Sequence, residues 1–184
     1  FLRLKPNMAI ITATDADHLD IYGTKEELLR TFAEFTSLIE ENGVLVMKKG
    51  IEMVPNTKES VKVYTYSGTE KADFYAENIV IENGELYFDF VGIKGKIEKV
   101  QLGVPVMINV ENAVAAMAIA QLNGMSATTI KKAVQTFKGS NRRFDIRVKN
   151  EKVVYIDDYA HHPEEIKACV GSIRALYPDK RICG

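Results

Sequence analysis

A chain of 184 residues carrying 24 basic and 25 acidic side chains has a formal net charge of −1. With no run of like charge, it gives no electrostatic reason to expect nucleic acid or an anionic membrane as partner. Hydrophobic residues at 46% and charged residues at 27% are the proportions of a soluble globular protein, enough for one domain or one and part of another. The apolar stretches are too short to span a bilayer, and no signal peptide opens the chain. Cys169 and Cys183, the two cysteines, make neither a disulfide framework nor a metal-spaced pair. The sequence therefore predicts buried, reduced thiols and a cytoplasmic protein. The chain opens on Phe1 and stops within Lys180-Arg181-Ile182-Cys183-Gly184, which reads as a piece of a longer protein ending at the start of a strand.

In chain order, Met8 to Thr14 is a short apolar run of the kind that forms a buried parallel strand, and it empties into Asp15-Ala16-Asp17-His18-Leu19-Asp20. Thr24 and Glu27 have the spacing of a capping box. Leu28, Phe32, Phe35 and Ile39 follow at helical spacing, and Asn42-Gly43 supplies the stop. Val44 to Met47 reads as another buried strand. From about Val61 to Val104 the pattern alternates, and Asn83-Gly84 between Phe74–Ile81 and Leu86–Phe90 predicts a hairpin at the edge of, or against, the parallel sheet. Glu111 to Asn123 is an alanine-rich helix ended by Gly124. Ser126 caps a second helix with Ile130, Val134 and Phe137 facing inward. Gly139-Ser140-Asn141 is the candidate linker. A second α/β unit begins near Val153, with Pro163 opening a helix whose buried stripe is Ile166, Val170, Ile173 and Leu176. The fold class is α/β.

Four clusters carry chemistry. Carboxylates with one imidazole in the Asp15–Asp20 segment suit Mg²⁺ or Mn²⁺ beside a phosphorylated substrate, or they simply cap the next helix. Asn109 and Asn112 can read an adenine edge through paired amide bonds, although on spacing alone a helix cap explains them better. Arg142 and Arg143 at a domain junction can clamp phosphate oxygens, or stand solvated in a linker. Asp157-Asp158-Tyr159-Ala160-His161-His162-Pro163 joins a strand to a helix. Open α/β sheets place ligands at such turns, and a histidine pair capping the helix is the plainer alternative.

The last of these segments resembles the motif that opens the C-terminal domain of the Mur ligases. Ala16-Asp17-His18-Leu19-Asp20-Ile21-Tyr22-Gly23, Asn109-Val110-Glu111-Asn112-Ala113 and Arg142-Arg143-Phe144-Asp145 resemble three further motifs of the family, in the same order, so the resemblance covers essentially the whole chain. It implies that residues 1–141 belong to the central ATP-binding domain, a parallel sheet with an antiparallel hairpin region. Residues 142–184 would start the Rossmann-like C-terminal domain with its first β-α-β. The implied activity is ATP- and Mg²⁺-dependent joining of L-alanine to UDP-N-acetylmuramate in peptidoglycan synthesis, through an acyl phosphate that the amine attacks. By the same resemblance His18 binds Mg²⁺, Asn109 and Asn112 contact adenine, and Asp158 contacts the ribose. Arg143 and His161 attend the phosphates, while Tyr159 and His162 shape the pocket. Ile108 stands where the family usually has histidine.

No Gly-x-x-x-x-Gly-Lys-Ser/Thr loop occurs in the chain. In the family that loop, a metal-binding glutamate and the UDP-holding domain lie upstream, so the piece alone is expected to be inactive. After Lys25 no lysine appears before Lys48, which fits the alanine-adding branch, since siblings carry a carbamylated lysine on that helix. Alternatives are a sibling such as the tripeptide-recycling ligase, a nucleotide-binding module without catalysis, and a metal hydrolase using His18, His161 and His162.

Overall fold

Strand β2 (Val44–Lys48) has no polar face, and the fold follows from that. Val44 and Val46 pack into one hydrophobic cluster while Leu45 and Met47 pack into another, so both faces of the sheet are covered here. The computed structural model describes residues 1–14, 22–161 and 163–184, with Glu164 described by its backbone alone. Among the described residues a six-stranded sheet runs β1 (Met8–Ile11), β2, β3 (Lys62–Ser67), β4 (Phe74–Glu82), β5 (Glu85–Gly92), β6 (Gly95–Leu102), each strand beside the next. The pairs from β1 to β4 are parallel and those from β4 to β6 antiparallel. The parallel sheet and the hairpin region are thus one continuous sheet.

Helix α1 (Lys25–Ser37) covers one face, with Phe32 and Phe35 against the Ile11–Leu45–Met47 cluster. Its start is the expected cap: Thr24 Oγ1 accepts from the Glu27 N–H at 3.2 Å. The chain turns back at Asn42 (φ 59°), and Gly43 then passes so close that a Cβ there would lie 2.7 Å from the Asn7 carbonyl oxygen. On the other face, α2 (Met107–Leu122) lays Val110, Val114, Met117 and Ala118 on Phe74, Phe88 and Phe90. Next, α3 (Ala127–Thr136) is capped by Ser126, whose Oγ accepts from the Thr129 N–H at 3.2 Å. Ile130 is buried as expected, whereas Phe137 follows the helix and is 59% exposed.

The hairpin turn has Asn83 at φ 53° and Gly84 at φ 73°, the paired left-handed conformations of a two-residue turn whose twist matches the strands. Both antiparallel ladders slip near Asp89: β4 between Glu77 and Val80, and β5 between Phe88 and Phe90. One carboxylate serves both irregularities. Asp89 Oδ2 accepts from Asn78 Nδ2 and from Lys96 Nζ, each at 2.8 Å, and Oδ1 accepts from the Lys99 N–H at 2.7 Å.

A separate antiparallel pair, β7 (Asp145–Lys149) with β8 (Val154–Asp157), leads into α4 (Pro163–Leu176). The α/β class stands, with differences at this end of the chain. The unit opens as a hairpin, because Asp145-Ile146-Arg147-Val148-Lys149 forms a strand upstream of Val153, where the sequence places the start of the unit. Asn150 Oδ1 makes the turn by accepting from the Lys152 and Val153 N–H groups. Residues 181–184 form no strand, so Cys183 is exposed and Cys169 only partly buried, contrary to the expectation of two buried thiols. A strand needs a neighbour to pair with, and β7–β8 extends no further. The stripe on α4 is half seated for the same reason: Leu176 is buried and Ile166 is 47% exposed. No helix among the described residues is long and apolar enough to cross a membrane.

Burial alone would raise the Asp89 carboxyl, but the bonds from Lys96, Asn78 and the Lys99 N–H outweigh it and hold the group at about 2. A carboxyl depressed on folding stabilises above its unfolded value, near 3.9, and loses that contribution as pH falls toward 2. Asp89→Asn should therefore lower the urea midpoint at pH 7, and the gap to the parent should narrow steadily between pH 4 and pH 2. A gap independent of pH would rule this account out.

Candidate functional site

Two groups of candidate residues assemble around the same corner of the molecule. The first lies at the junction between α3 and β7. Arg142 and Phe144 both take left-handed backbone conformations, at φ 60° and 48°, so the chain corkscrews as it leaves the large sheet. Asp158 holds that turn in place. Its Oδ2 accepts from the Phe144 N–H at 2.8 Å and its Oδ1 from the Ala160 N–H at 2.7 Å. The Tyr159 N–H donates to the Arg142 carbonyl at 2.8 Å, and the Arg142 guanidinium lies 4.7 Å from the Tyr159 ring centroid. Phe144, turned inward, is buried with Val104, Val106 and Leu176.

His161 and Arg143 meet on the open side of this knot. The His161 ring packs 5.1 Å from Tyr159, and its Nδ1 is 3.1 Å from the Tyr159 carbonyl oxygen. A carbonyl only accepts, so this contact puts the proton on Nδ1 and leaves Nε2 as the acceptor of the neutral ring. Arg143 Nη1 lies 3.4 Å from Glu165 Oε1. The Arg143 and His161 side chains are exposed. Asp158 also bears on Cys169: burial first, then the nearby Asp158 charge and its hydrogen bond, push the thiol above its ordinary value.

The second group is on α2. The expected cap does not form, because Val106 is the N-cap and makes no side-chain cap bond. Pro105 forces extended backbone just upstream and the helix begins at Met107, so Asn109 and Asn112 lie inside it, three apart on one face. Asn109 Nδ2 donates to the Val104 carbonyl at 3.3 Å, and Asn112 Nδ2 approaches Asn109 Oδ1 at 3.4 Å. These amides border a pocket of about 390 Å³ between α2, α3 and β6, walled by apolar side chains such as Leu102, Val104, Met117 and Val134. Paired amides beside an apolar slot suit a flat heterocycle with donors and acceptors on its edge. On the opposite side of α2, Glu111 pairs with Lys48 Nζ at 2.8 Å, fixing the helix to the end of β2. Burial, with a smaller push from the Glu111 charge, raises Tyr66 to about 12.

Val104 joins the two groups. Its carbonyl takes the Asn109 amide, its side chain packs on Phe144, and Gly139 passes close enough that a Cβ there would lie 3.0 Å from Val104 Cγ2. Arg143, Asp158 and His161 are thus brought together, and Asn109 with Asn112 beside them. His18 and His162 lie outside the described residues, and with them the shared-metal alternative. Among the described residues no three His, Cys, Asp or Glu side chains gather to hold a metal. The sequence reading missed Glu165 and Cys169. Their signal was helical spacing on α4, with Glu165 four residues after His161 and Cys169 four after Glu165.

Residues 1–120 match the Mur ligase middle domain and residues 142–184 the Mur ligase glutamate ligase domain. Relatives named UDP-N-acetylmuramate–L-alanine ligase are similar over nearly all of the chain. That of Phocaeicola vulgatus is 55% identical over 97% of this chain and 39% of its own length. That of Parabacteroides distasonis is 54% identical over 98% and 39%. The chain thus spans about two fifths of these relatives. Among solved structures, MurC of Thermotoga maritima superposes with a TM-score of 0.80 at 24% identity, covering 97% of this chain and 40% of that one. MurF of the same organism, solved in complex with ADP, gives 0.72 at 18% identity over 91% and 39%.

Cys183 should react with iodoacetamide well before Cys169, because Cys183 is exposed while burial, then the Asp158 charge, opposes the reactive thiolate at Cys169. Peptide mass mapping over a time course at pH 7.5 measures both, and equal rates would contradict the arrangement.

Proposed function

The chain is a member of the Mur ligase family, and from that premise we propose that it forms part of a cytoplasmic, ATP-dependent ligase that joins L-alanine to UDP-N-acetylmuramate in peptidoglycan synthesis. The observation that carries this reading is the convergence of Arg143, Asp158 and His161 on one junction, beside an apolar pocket bordered by the paired amides of Asn109 and Asn112. Support for the alanine-adding branch comes from relatives of that name at 55% and 54% identity. In this reading residues 1–141 close the central nucleotide-binding domain and residues 142–184 begin the C-terminal ligase domain.

ATP, when bound, supplies the phosphoryl group that activates a carboxylate for attack by an amine. The chain's own residues bind and orient. Asn109 and Asn112 present donors and acceptors to the adenine edge. Asp158 accepts from the ribose through the lone pairs that remain on oxygens already taking one N–H each. Arg143, on a linker that leaves it exposed, turns its guanidinium to phosphate oxygens, where paired charged bonds are strongest. His161 keeps its proton on Nδ1 and faces the same region with Nε2. Little covalent chemistry falls to these side chains, so positioning and charge neutralisation carry the rate. His18, to which this reading gives Mg²⁺, lies outside the described residues, and the steps above run through the other side chains alone.

A coupled phosphate-release assay on the full-length protein tests the reading, with UDP-N-acetylmuramate, ATP and one amino acid at a time. Turnover should require L-alanine, and Asn112→Ala should raise the KM for ATP about three- to tenfold, the worth of one neutral hydrogen bond. The 184-residue chain alone should release none. Turnover with a tripeptide but none with L-alanine would move the protein to a sibling activity, and ATP binding without turnover would make it a module.

A further inference from the structure

Glu165 touches both residues that the proposed function sets at the phosphates. Its Oε1 lies 3.4 Å from Arg143 Nη1, and its Oε2 accepts from the His161 N–H at 3.2 Å and stands 3.6 Å from His161 Nδ1. These contacts join a linker residue to a turn residue through one carboxylate in the first turn of α4. We propose that Glu165 is a positioning residue of the ligase reaction, holding Arg143 and His161 as one unit so that both meet the nucleotide phosphates together. The proposal rests on the reading of the site given above.

A purely structural role is the competing explanation. A glutamate in a first helical turn that accepts from a backbone N–H just upstream behaves as a capping-box residue. The exposure of the pair separates the two ideas. Arg143 is 57% exposed and Glu165 38%, and ion pairs so open to water contribute little to folding stability. Orientation is another matter. Arg143 has a long, flexible stem on a linker whose backbone is held by Asp158, and among the described residues Glu165 is the one ionic partner of its side chain. Fixing the guanidinium before the phosphates arrive lowers the entropy lost on reaching the transition state, and small misplacements of such groups cost large factors in rate. The helix N-terminus adds a second reason, since a carboxylate is stable there and stays put.

The test is a double-mutant cycle in the full-length protein, using the L-alanine-dependent assay. Glu165→Gln keeps an acceptor for the His161 N–H and removes the charge that holds Arg143. It should lower kcat about tenfold with the melting temperature and the KM for L-alanine unchanged. Placed on Arg143→Ala, the same substitution should cost less than twofold, because the group it positions is gone. Equal losses in both backgrounds, or wild-type kcat in Glu165→Gln, would overturn the proposal. A fall in melting temperature that accounts for the lost rate, restored by Glu165→Asp, would assign Glu165 to capping instead. A wild-type protein with no turnover on any acceptor would overturn the functional reading and this proposal with it.

Discussion

The junction depends on where the Asp158 carboxylate sends its two oxygens. One fastens Phe144, at the end of a linker that winds through two left-handed residues, and the other fastens Ala160, in the turn after β8. Left-handed backbone at an arginine and a phenylalanine is unfavourable and persists only where surrounding bonds over-determine it. Here they do, because the Tyr159 N–H closes the loop onto the Arg142 carbonyl and Phe144 is buried among Val104, Val106 and Leu176. Everything exposed at this corner inherits its direction from that arrangement. Burial pushes the Cys169 thiol above its ordinary value, and the charge and hydrogen bond of the same carboxylate add to that push.

The large sheet serves the site by covering. Because β2 is buried on both faces, α1 and α2 are held on opposite sides, and α2 cannot roll without exposing Val110, Val114 and Met117. Glu111 locks the remaining freedom through Lys48. Asn109 and Asn112 ride on the helix so placed, with the Asn109 amide on the Val104 carbonyl and the Asn112 amide beside Asn109 Oδ1. Gly103 adds to this: a Cβ there would overlap the Phe137 carbonyl oxygen, and its N–H donates to the Val134 carbonyl, so β6 and the end of α3 lie in close contact along the pocket wall.

Much of this was legible in the residues. Thr24 and Ser126 cap helices where their spacing says they should, and Asn83-Gly84 makes the hairpin. Local chemistry decides these features, so a short window of sequence suffices. The start of α2 was misplaced because Asn109 and Asn112 are good capping residues, while the helix has already begun at Met107. β7 was lost for a different reason: its alternation spans five residues beside a conspicuous arginine pair, and a two-stranded hairpin has little core to impose a pattern. Three of the four motifs gather at one corner of the fold, through contacts that were not visible in the sequence, and the fourth, with His18, lies outside the described residues. Glu165 escaped notice since a glutamate in a first helical turn is the commonest of caps, and only the fold reveals Arg143 on its other oxygen.

The tip of the β4–β5 hairpin leans on the second unit. A Cβ on Gly84 would stand 3.6 Å from the Tyr177 ring, Glu85 pairs with Lys149 Nζ at 3.4 Å, and Ile81 packs into the cluster that holds Phe144 and Leu176. Hairpin tips are ordinarily where a protein lineage is free to lengthen or shorten its chain, since water fills whatever space is left. This one abuts a neighbour that also carries Arg143 and His161. Its two-residue length is therefore held by the second unit as much as by the register of its own strands, and lengthening it would push against Tyr177 and Lys149 of the unit that carries Arg143 and His161.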